Sequence, residues 1–115
     1  MATGTRDVVP AGHEVRQCDG ALSRAFQFLG KRWNAMLISV LGSGPAGFAE
    51  LKRVLGISDS MLSDRLSELA GAGLVVRRVE EGPPVAVTYE LSESGLALLP
   101  VLREIGSWAR ENLES

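Results

Sequence analysis

The chain has few of the residues on which most small catalytic and metal sites depend. Its 115 residues include one cysteine and one histidine, Cys18 and His13, and contain no CxxC, HExxH or glycine-rich phosphate-binding motif. A single cysteine excludes a disulfide within the chain and favours a reducing, cytoplasmic compartment. Because no nucleophile, base or metal ligand has a partner at a motif spacing, we expect no enzymatic activity, no cofactor and no metal.

Long apolar segments are missing as well. Near the middle of the chain the apolar run from Ala35 to Ile38 is short, whereas a membrane span needs roughly 20 residues. Residues 1–17 contain acids and a proline instead of an apolar segment, so we expect neither a signal peptide nor a membrane protein. These residues show no periodicity, and we interpret them as a flexible tail before a single domain over residues 18–115.

The charge is small and unevenly distributed. The formal net charge is −2, from 12 Lys and Arg residues against 14 Asp and Glu residues. It divides into +1 over residues 1–51, +2 over residues 52–78 and −5 over residues 79–115. The total argues against a nucleic-acid partner, but steering depends on the local field more than on net charge. A mildly basic middle segment therefore predicts modest, salt-sensitive affinity for a polyanion.

Two helices are predicted first. Between Asp19 and Gly30 the apolar residues, among them Leu22 and Phe26, recur at helical spacing. Residues 33–41 are apolar on nearly every side, which is typical of a helix buried at the centre of a fold. The glycines and proline of residues 42–45 end this helix.

A helix-turn-helix is predicted next. The third helix is amphipathic and ends at Gly56. Its predicted inward residues are Phe48, Leu51, Val54 and Leu55. Ser58 caps the fourth helix, and Asp59 lies in its first turn, where the helix dipole favours an acid. The predicted buried stripe of the fourth helix contains either Met61 or Leu62, followed by Leu66 and Leu69.

The apolar period then changes to two. Residues 75–79 and 85–91 alternate, and residues 80–84 contain turn-forming glycine and prolines, so a β-hairpin is predicted. We interpret the neighbouring carboxylates of Glu80 and Glu81 as a solvated turn rather than a catalytic pair. A last helix runs from near Ser92 towards Asn112, and Pro100 within it should kink it or loosen one turn.

This order of elements predicts an α+β fold that is mainly α: a winged helix-turn-helix with flanking N- and C-terminal dimerisation helices. The same elements could build an unrelated α+β domain, but the hairpin directly follows the second helix of the helix-turn-helix, which favours the winged helix. The last helix has more apolar surface than a domain of this size needs, and a second copy would cover it. The candidate dimer-interface residues are Leu22, Phe26, Leu98, Leu102, Ile105 and Trp108.

The polar face of the fourth helix is a candidate DNA-binding surface, because a helix fits the major groove of B-DNA. Its candidate DNA-binding residues are Ser58, Ser60, Ser63, Asp64 and Ser67. The candidate phosphate-binding cations are Lys52, Arg53, Arg77 and Arg78. Arg65 is ambiguous, since it lies next to the apolar stripe and has Glu68 and Asp64 as possible partners. The alternative is a protein-interaction module that does not bind DNA. The acidic character of the polar face of the fourth helix favours this alternative.

Ordered motifs extend over residues 18–110. They are Leu29-Gly30-Lys31-Arg32-Trp33, Gly44-Pro45-x-x-Phe48-x-Glu50-Leu51, Ile57-Ser58-x-x-Met61-Leu62-x-x-Arg65-Leu66-x-Glu68-Leu69, Gly73-Leu74-Val75, and Gly82-Pro83-Pro84 with Tyr89-x-Leu91. Together they resemble the HxlR-type winged-helix transcriptional regulators, bacterial relatives of the MarR group. The resemblance implies a homodimer formed by the first and last helices and a recognition helix at about residues 58–70. It also implies a palindromic operator in double-stranded DNA and regulation of neighbouring genes in response to redox, aldehyde or toxic-compound signals.

The chain departs from the family pattern at positions that normally attract phosphate. Ala46-Gly47 follows Gly-Pro, and Val85-Ala86 follows Pro-Pro, where family members commonly have basic residues. Ser60, Asp64 and Ser67 occupy the recognition helix where Lys, Gln or Arg is common. Each departure removes attraction for phosphate, so we expect affinity that is weaker or more salt-sensitive, or narrower specificity.

Cys18 has two interpretations. It precedes the first helix, whose N-terminus favours a thiolate, and it resembles the N-terminal cysteine that senses oxidants or electrophiles in some HxlR-type proteins. Asp19 beside it opposes thiolate formation, and an isolated cysteine is most often inert. The aromatic residues similarly fit core and interface positions, with an inducer pocket between the dimer helices and the DNA-binding core as the alternative.

Overall fold

The computed structural model describes residues 16–114, so His13 and nearly all of the predicted tail lie outside the described residues. Five helices and two strands follow one another: α1 (Gly20–Leu29), α2 (Arg32–Leu41), α3 (Phe48–Leu55), α4 (Asp59–Gly71), β1 (Val75–Glu80), β2 (Ala86–Leu91) and α5 (Glu93–Asn112). The described helices include none long and apolar enough to cross a membrane. The predicted winged helix-turn-helix, mainly α with a two-stranded wing, is confirmed.

Helix α2 lies at the centre, as its apolar character predicts. It contacts α1, α3, α4, α5 and β2. Leu37 and Ile38 are fully buried, and Asn34 is the one buried polar residue among those described. The remaining buried apolar residues surround them: Leu41, Ala46, Leu51, Leu62, Leu66, Leu69, Leu74, Val75, Leu91 and Leu99.

The helix-turn-helix is formed by α3, a three-residue turn and α4. Gly56 ends α3 in the left-handed conformation, with φ of 68°, which glycine adopts without steric cost. The Ser58 hydroxyl accepts a hydrogen bond from the Met61 amide at 3.2 Å and so caps α4, as predicted. Leu62 faces the core and is fully buried, whereas Met61 is 40% exposed.

One inward residue of α3 was predicted wrongly. Val54 is 58% exposed, whereas Leu51 is buried and Phe48 and Leu55 pack against the core. At about 100° per residue, Val54 lies about 90° from the centre of the stripe formed by these three residues. On a helix of only 8 residues, a position at that edge has no neighbouring element to cover it.

The wing is an antiparallel hairpin in which Val75 pairs with Leu91 and Glu80 with Ala86. Ala46 adds a bridge at the other edge of β2, through hydrogen bonds with Tyr89 of 3.0 and 2.8 Å. The segment before α3 is therefore tied to the sheet. This arrangement fixes the wing beside the helix-turn-helix.

Helix α5 begins where the wing ends. The Ser92 hydroxyl donates to the Gly73 carbonyl at 2.6 Å and accepts from the Gly95 amide at 3.2 Å. These two hydrogen bonds join the loop after α4 to the start of α5. The helix then continues through Pro100 to Asn112 as one element. Pro100 has no amide hydrogen, so the Leu96 carbonyl loses its intrahelical donor.

Candidate nucleic-acid interface

All nine predicted DNA-binding residues are exposed, and they lie on three consecutive parts of the winged helix-turn-helix. Lys52 and Arg53 are in the last turn of α3, five residues are at or on α4, and Arg77 and Arg78 are in β1. The structure therefore presents the predicted set to solvent. Its contact with DNA stays a prediction.

The exposed face of α4 has hydroxyl and carboxylate groups. Ser63, Asp64 and Ser67 are all exposed, while the opposite side of the helix buries Leu62, Leu66 and Leu69. The Ser58 hydroxyl already accepts the Met61 amide, and it lies 3.4 Å from the Ser60 hydroxyl. Serine hydroxyls bind phosphate oxygens and several base edges. Such a face is suited to positioning a helix in a groove but would discriminate weakly between bases.

Lys52 already has a partner within the protein. Its ammonium nitrogen lies 2.8 Å from the Asp59 carboxylate, and the two side chains are 48% and 71% exposed. Asp59 is the first residue of α4, where the N-terminal end of the helix dipole also attracts its charge. A phosphate that binds Lys52 would therefore have to compete with the carboxylate at the N-terminus of α4.

Arg78 is neutralised in the same way. Its Nε donates to the Glu90 carboxylate at 2.7 Å across the two strands of the wing. The register explains the contact, because Arg78 pairs with Thr88 and Glu90 lies diagonally from it on the neighbouring strand. Two of the four predicted phosphate-binding cations thus form an ion pair with a carboxylate.

Arg77 lies at a cleft instead. Among residues 16–114, neither Arg53 nor Arg77 has a carboxylate within salt-bridge distance. A cavity of about 250 Å³ separates α4 from the wing, and its walls are Ser63, Leu66, Ser67, Ala70, Arg77 and Tyr89. An arginine and three hydroxyl-bearing residues around one cleft form a suitable pocket for an anionic oxygen.

A charged cluster that the sequence did not reveal lies on the flank of α4. Glu68 accepts hydrogen bonds from the Lys31 ammonium at 3.1 and 3.3 Å and lies 3.3 Å from an Arg65 guanidinium nitrogen. The hydrogen bond from Lys31 holds the pKa of Glu68 below its ordinary value of 4.5, although desolvation opposes the shift. The Arg65–Glu68 pair was one of the predicted alternatives, whereas Lys31 is 37 residues from Glu68.

Apolar side chains are exposed on α1 and α5. Leu22 and Phe26 on α1 are 57% and 50% exposed, and Ile105 and Trp108 on α5 are 44% and 55% exposed. The other two predicted interface residues, Leu98 and Leu102, pack partly against the core of their own chain. Sequence reasoning missed the exposed Val101, which lies four residues before Ile105 and seven before Trp108 and so shares their face of α5.

Cys18 is exposed beside the apolar face of α1. It precedes Asp19, whose carboxylate accepts from the Leu22 amide at 3.0 Å and caps the helix. Cys18 and Asp19 border a shallow surface groove of about 350 Å³ together with Leu22, Ser23 and Phe26. The thiol therefore has an apolar neighbourhood on one side and a carboxylate on the other.

The seam between α2 and α5 contains a cavity of about 320 Å³. Its lining has no aromatic residue and consists of Ser39, Gly42, Ser43, Leu99, Leu102, Arg103, Gly106 and Arg110. Phe28 and Phe48 instead pack against the core. The wall of this cavity therefore contains none of the predicted aromatic residues, and an inducer pocket between the dimer helices and the DNA-binding core stays a prediction.

Comparisons with known proteins agree with this architecture. The model of the HxlR-like helix-turn-helix family matches residues 28–115. The HTH-type transcriptional regulator YodB of Bacillus subtilis is 43% identical over 94 residues, which cover 81% of this chain and 84% of YodB. The structure of the reduced form of YodB from B. subtilis superposes with a TM-score of 0.78 at 40% identity, covering 85% of this chain and 97% of that one.

A second structure, of quinone-bound YodB from B. subtilis, gives a TM-score of 0.72 at 39% identity and covers 82% of this chain and 99% of that one. The family match includes α2 to α5 and the wing, so it contains the whole helix-turn-helix. The chain belongs to the HxlR-like helix-turn-helix family of transcriptional regulators.

Proposed function

We propose that this transcriptional regulator binds a pseudo-palindromic promoter site in double-stranded DNA as a homodimer, in the cytoplasm. One observation carries the proposal: α4 exposes its whole polar face next to cations from α3 and the wing. Helix α4 would enter the major groove. The flanking cations would bind the phosphates on either side.

The homodimer rests on the exposed apolar residues of α1 and α5. Aromatic and branched side chains of this size are seldom left half exposed on two helices of a monomer. A second copy would cover them and would present two recognition helices about one DNA turn apart, ~34 Å. Residues 18–115 would act as the single domain of each protomer.

DNA binding is tested on duplexes recovered by selection from a random library. Fluorescence anisotropy across a range of salt concentrations should give a log-log slope of several units, because each phosphate contact releases counterions. The Arg77→Ala variant should bind at least about fivefold more weakly, and Lys52→Ala less so because Asp59 already partners Lys52. Arg103→Ala on α5 is the matched control and should bind like the parent.

No duplex binding at any salt concentration would favour the alternative, a winged-helix protein-interaction module. The ion pairs of Lys52 and Arg78 are the observation that supports this alternative. Equal affinity of Arg77→Ala and the parent would show that the cleft beside α4 is not used.

We further propose that an oxidant, aldehyde or quinone releases the DNA through Cys18. The exposed thiol borders the apolar groove of α1, and related YodB structures are of reduced and quinone-bound protein. With a quinone, the Cys18 sulfur would form a bond to a ring carbon as the ring C=C π bond breaks. The thiol proton would reach one quinone oxygen and the hydrogen of the attacked carbon the other, leaving a hydroquinone thioether. No other oxidant is needed.

The signal is tested by measuring DNA release with benzoquinone, diamide and formaldehyde. The parent should release the duplex with each reagent, whereas Cys18→Ser should stay bound. Benzoquinone and formaldehyde should add their mass to the parent, while diamide should take one hydrogen from each of two Cys18 thiols, forming a hydrazine and a disulfide between two chains. If Cys18→Ser releases DNA as the parent does, Cys18 is not the sensor.

A further inference from the structure

The junction between α1 and α2 is held rigidly. The Asn34 side-chain amide donates to the Phe28 carbonyl at 3.0 Å, and the Lys31 amide donates to the same carbonyl at 3.1 Å. Asn34 is fully buried, and its own amide donates to the Lys31 carbonyl at 3.0 Å. Lys31 is therefore positioned by α1 and α2 together, so any displacement of α1 moves it.

From this junction Lys31 reaches the recognition helix. Its ammonium group donates to both oxygens of Glu68, at 3.1 and 3.3 Å. Glu68 lies on the flank of α4, roughly 90° from the polar face and roughly 125° from the buried stripe, at 100° per residue. A bond at the flank opposes rotation of α4 about its own axis, which the buried leucines alone restrain from only one side.

The other cation on Glu68 does not have this property. Arg65 lies one turn before Glu68 on the same helix, so their contact moves with α4 and does not depend on the position of α1. Among the described residues, the Lys31–Glu68 pair is thus the ion pair that joins α4 to the junction of α1 and α2.

We propose that Lys31 and Glu68 are a positioning pair that sets the orientation of the recognition helix relative to α1, and thereby the half-site spacing that the dimer accepts. This inference rests on the proposed function, because α1 would belong to the dimer interface and α4 to the DNA interface. The pair touches neither a base nor a phosphate. It determines where the second recognition helix lies once the first is bound.

The energetics make the proposal separable from a folding effect. The Lys31 and Glu68 side chains are 49% and 29% exposed, and such pairs contribute little to global stability. Loss of the pair should leave each protomer folded and able to bind one half-site. Loss of the pair should lower the free-energy cost of rotating α4 relative to α1. This cost affects binding only when the dimer binds two half-sites together.

The experiment measures spacing discrimination by the full-length dimer. The selected duplex is synthesised with one base pair removed, unchanged, or with one or two added between its half-sites, and an isolated half-site duplex is included. The parent should prefer one spacing sharply. Lys31→Met and Glu68→Gln should reduce the ratio between the best and the adjacent spacing at least threefold, with half-site affinity changed less than twofold.

Three further variants test the assignment. Lys31→Arg should retain the spacing preference, and the Lys31→Met/Glu68→Gln double variant should be no worse than either single one. Arg24→Met is the matched control, since Arg24 is an exposed cation of α1 without an ion pair among the described residues. It should leave the preference unchanged.

The possible failures are distinguishable. If the parent binds no duplex, the proposed function is wrong. If the parent binds with a sharp spacing preference and both variants keep it, the positioning pair is wrong while the proposed function stands. A loss of half-site affinity equal to the loss on the full site would also overturn the inference, because the pair would then act on DNA contact or folding rather than on orientation.

Discussion

At the scale of single residues, the predicted DNA surface is partly neutralised by its own carboxylates. Asp59 holds Lys52, and Glu90 holds Arg78. A phosphate that replaces such a carboxylate gains less than it would from a free cation, because the existing ion pair must first be broken. The total of +2 for residues 52–78 already includes Asp59, and the pairing of Arg78 with Glu90, which lies outside this segment, lowers the local positive charge further.

Asp59→Asn should strengthen DNA binding. It frees Lys52 and removes a negative charge from the tip of α4; at about 4 Å in water such a charge is worth about 1 kcal/mol, or about fivefold in affinity. The slope of log K against log salt should steepen by about one, since one more cation is available to phosphate. Anisotropy titrations at several salt concentrations measure both quantities.

The matched control is Glu93→Gln. Glu93 also occupies the first position of a serine-capped helix, so both substitutions lose the same carboxylate–dipole interaction of about 0.3–1 kcal/mol. Only Asp59→Asn releases a lysine. Unchanged affinity and slope in Asp59→Asn would place Lys52 outside the DNA contact.

The free energy of unfolding should depend on pH through the Glu68 carboxylate. The Lys31 hydrogen bond holds the pKa of Glu68 in the folded chain below 4.5, its ordinary value. The carboxylate therefore stabilises the fold fully above that value, and this contribution is lost as the pH falls through the lowered pKa. Urea unfolding should show the parent losing its advantage over Glu68→Gln as the pH falls below 4.5. In a Lys31→Met background the loss should be smaller, and an equal loss would show that Lys31 is not its cause.

At the scale of secondary-structure elements, the start of α5 depends on the absence of a side chain. Gly95 is buried, and an added Cβ would overlap the Leu74 carbonyl oxygen and approach two Leu91 side-chain atoms to 3.1 and 3.2 Å. The loop after α4, strand β2 and α5 meet at this point. No rearrangement of a flexible side chain relieves a collision with backbone.

Gly95→Ala should therefore destabilise the protein by about 1–3 kcal/mol, as overpacking of a close contact does. Gly71→Ala is the control, because nothing lies within 4 Å of a Cβ added at Gly71 and alanine is the better helix former. Thermal unfolding by circular dichroism compares the two. A midpoint for Gly95→Ala equal to that of Gly71→Ala would contradict the close approach.

Elements whose signals are local could be predicted from the sequence. The Ser58 cap, the Gly56 stop and the alternating strands are each encoded within a few residues, so α4 and the wing were placed correctly. Val54 was placed wrongly because helical spacing does not tell how far a neighbouring element extends around the helix. The Lys31–Glu68 contact joins positions 37 residues apart and depends on the packing of α2 against α4. No local pattern encodes that distance.

At the scale of the whole molecule, the negative charge is concentrated in the last third of the chain. Residues 79–115 account for a net charge of −5, and Glu80, Glu81 and Glu90 supply three of these charges from the wing and its tip. They would weaken the attraction of the wing for phosphate, but steering depends on the local field around α4 more than on the total charge. The net charge of −2 is thus compatible with a DNA-binding face.

The exposed apolar face predicts the oligomeric state. Trp108 is 55% exposed on α5, near the exposed Ile105, and a large aromatic residue at the centre of an interface typically contributes about 2 kcal/mol or more. Trp108→Lys should thus weaken the dimer at least about thirtyfold in analytical ultracentrifugation. Val54→Lys changes an equally exposed apolar residue on α3 and should leave the dimer intact.

The Trp108→Lys monomer should bind an isolated half-site like the parent but lose its preference for the palindrome, because one recognition helix remains. An unchanged dimer would mean that Trp108 does not lie in the interface that joins the protomers.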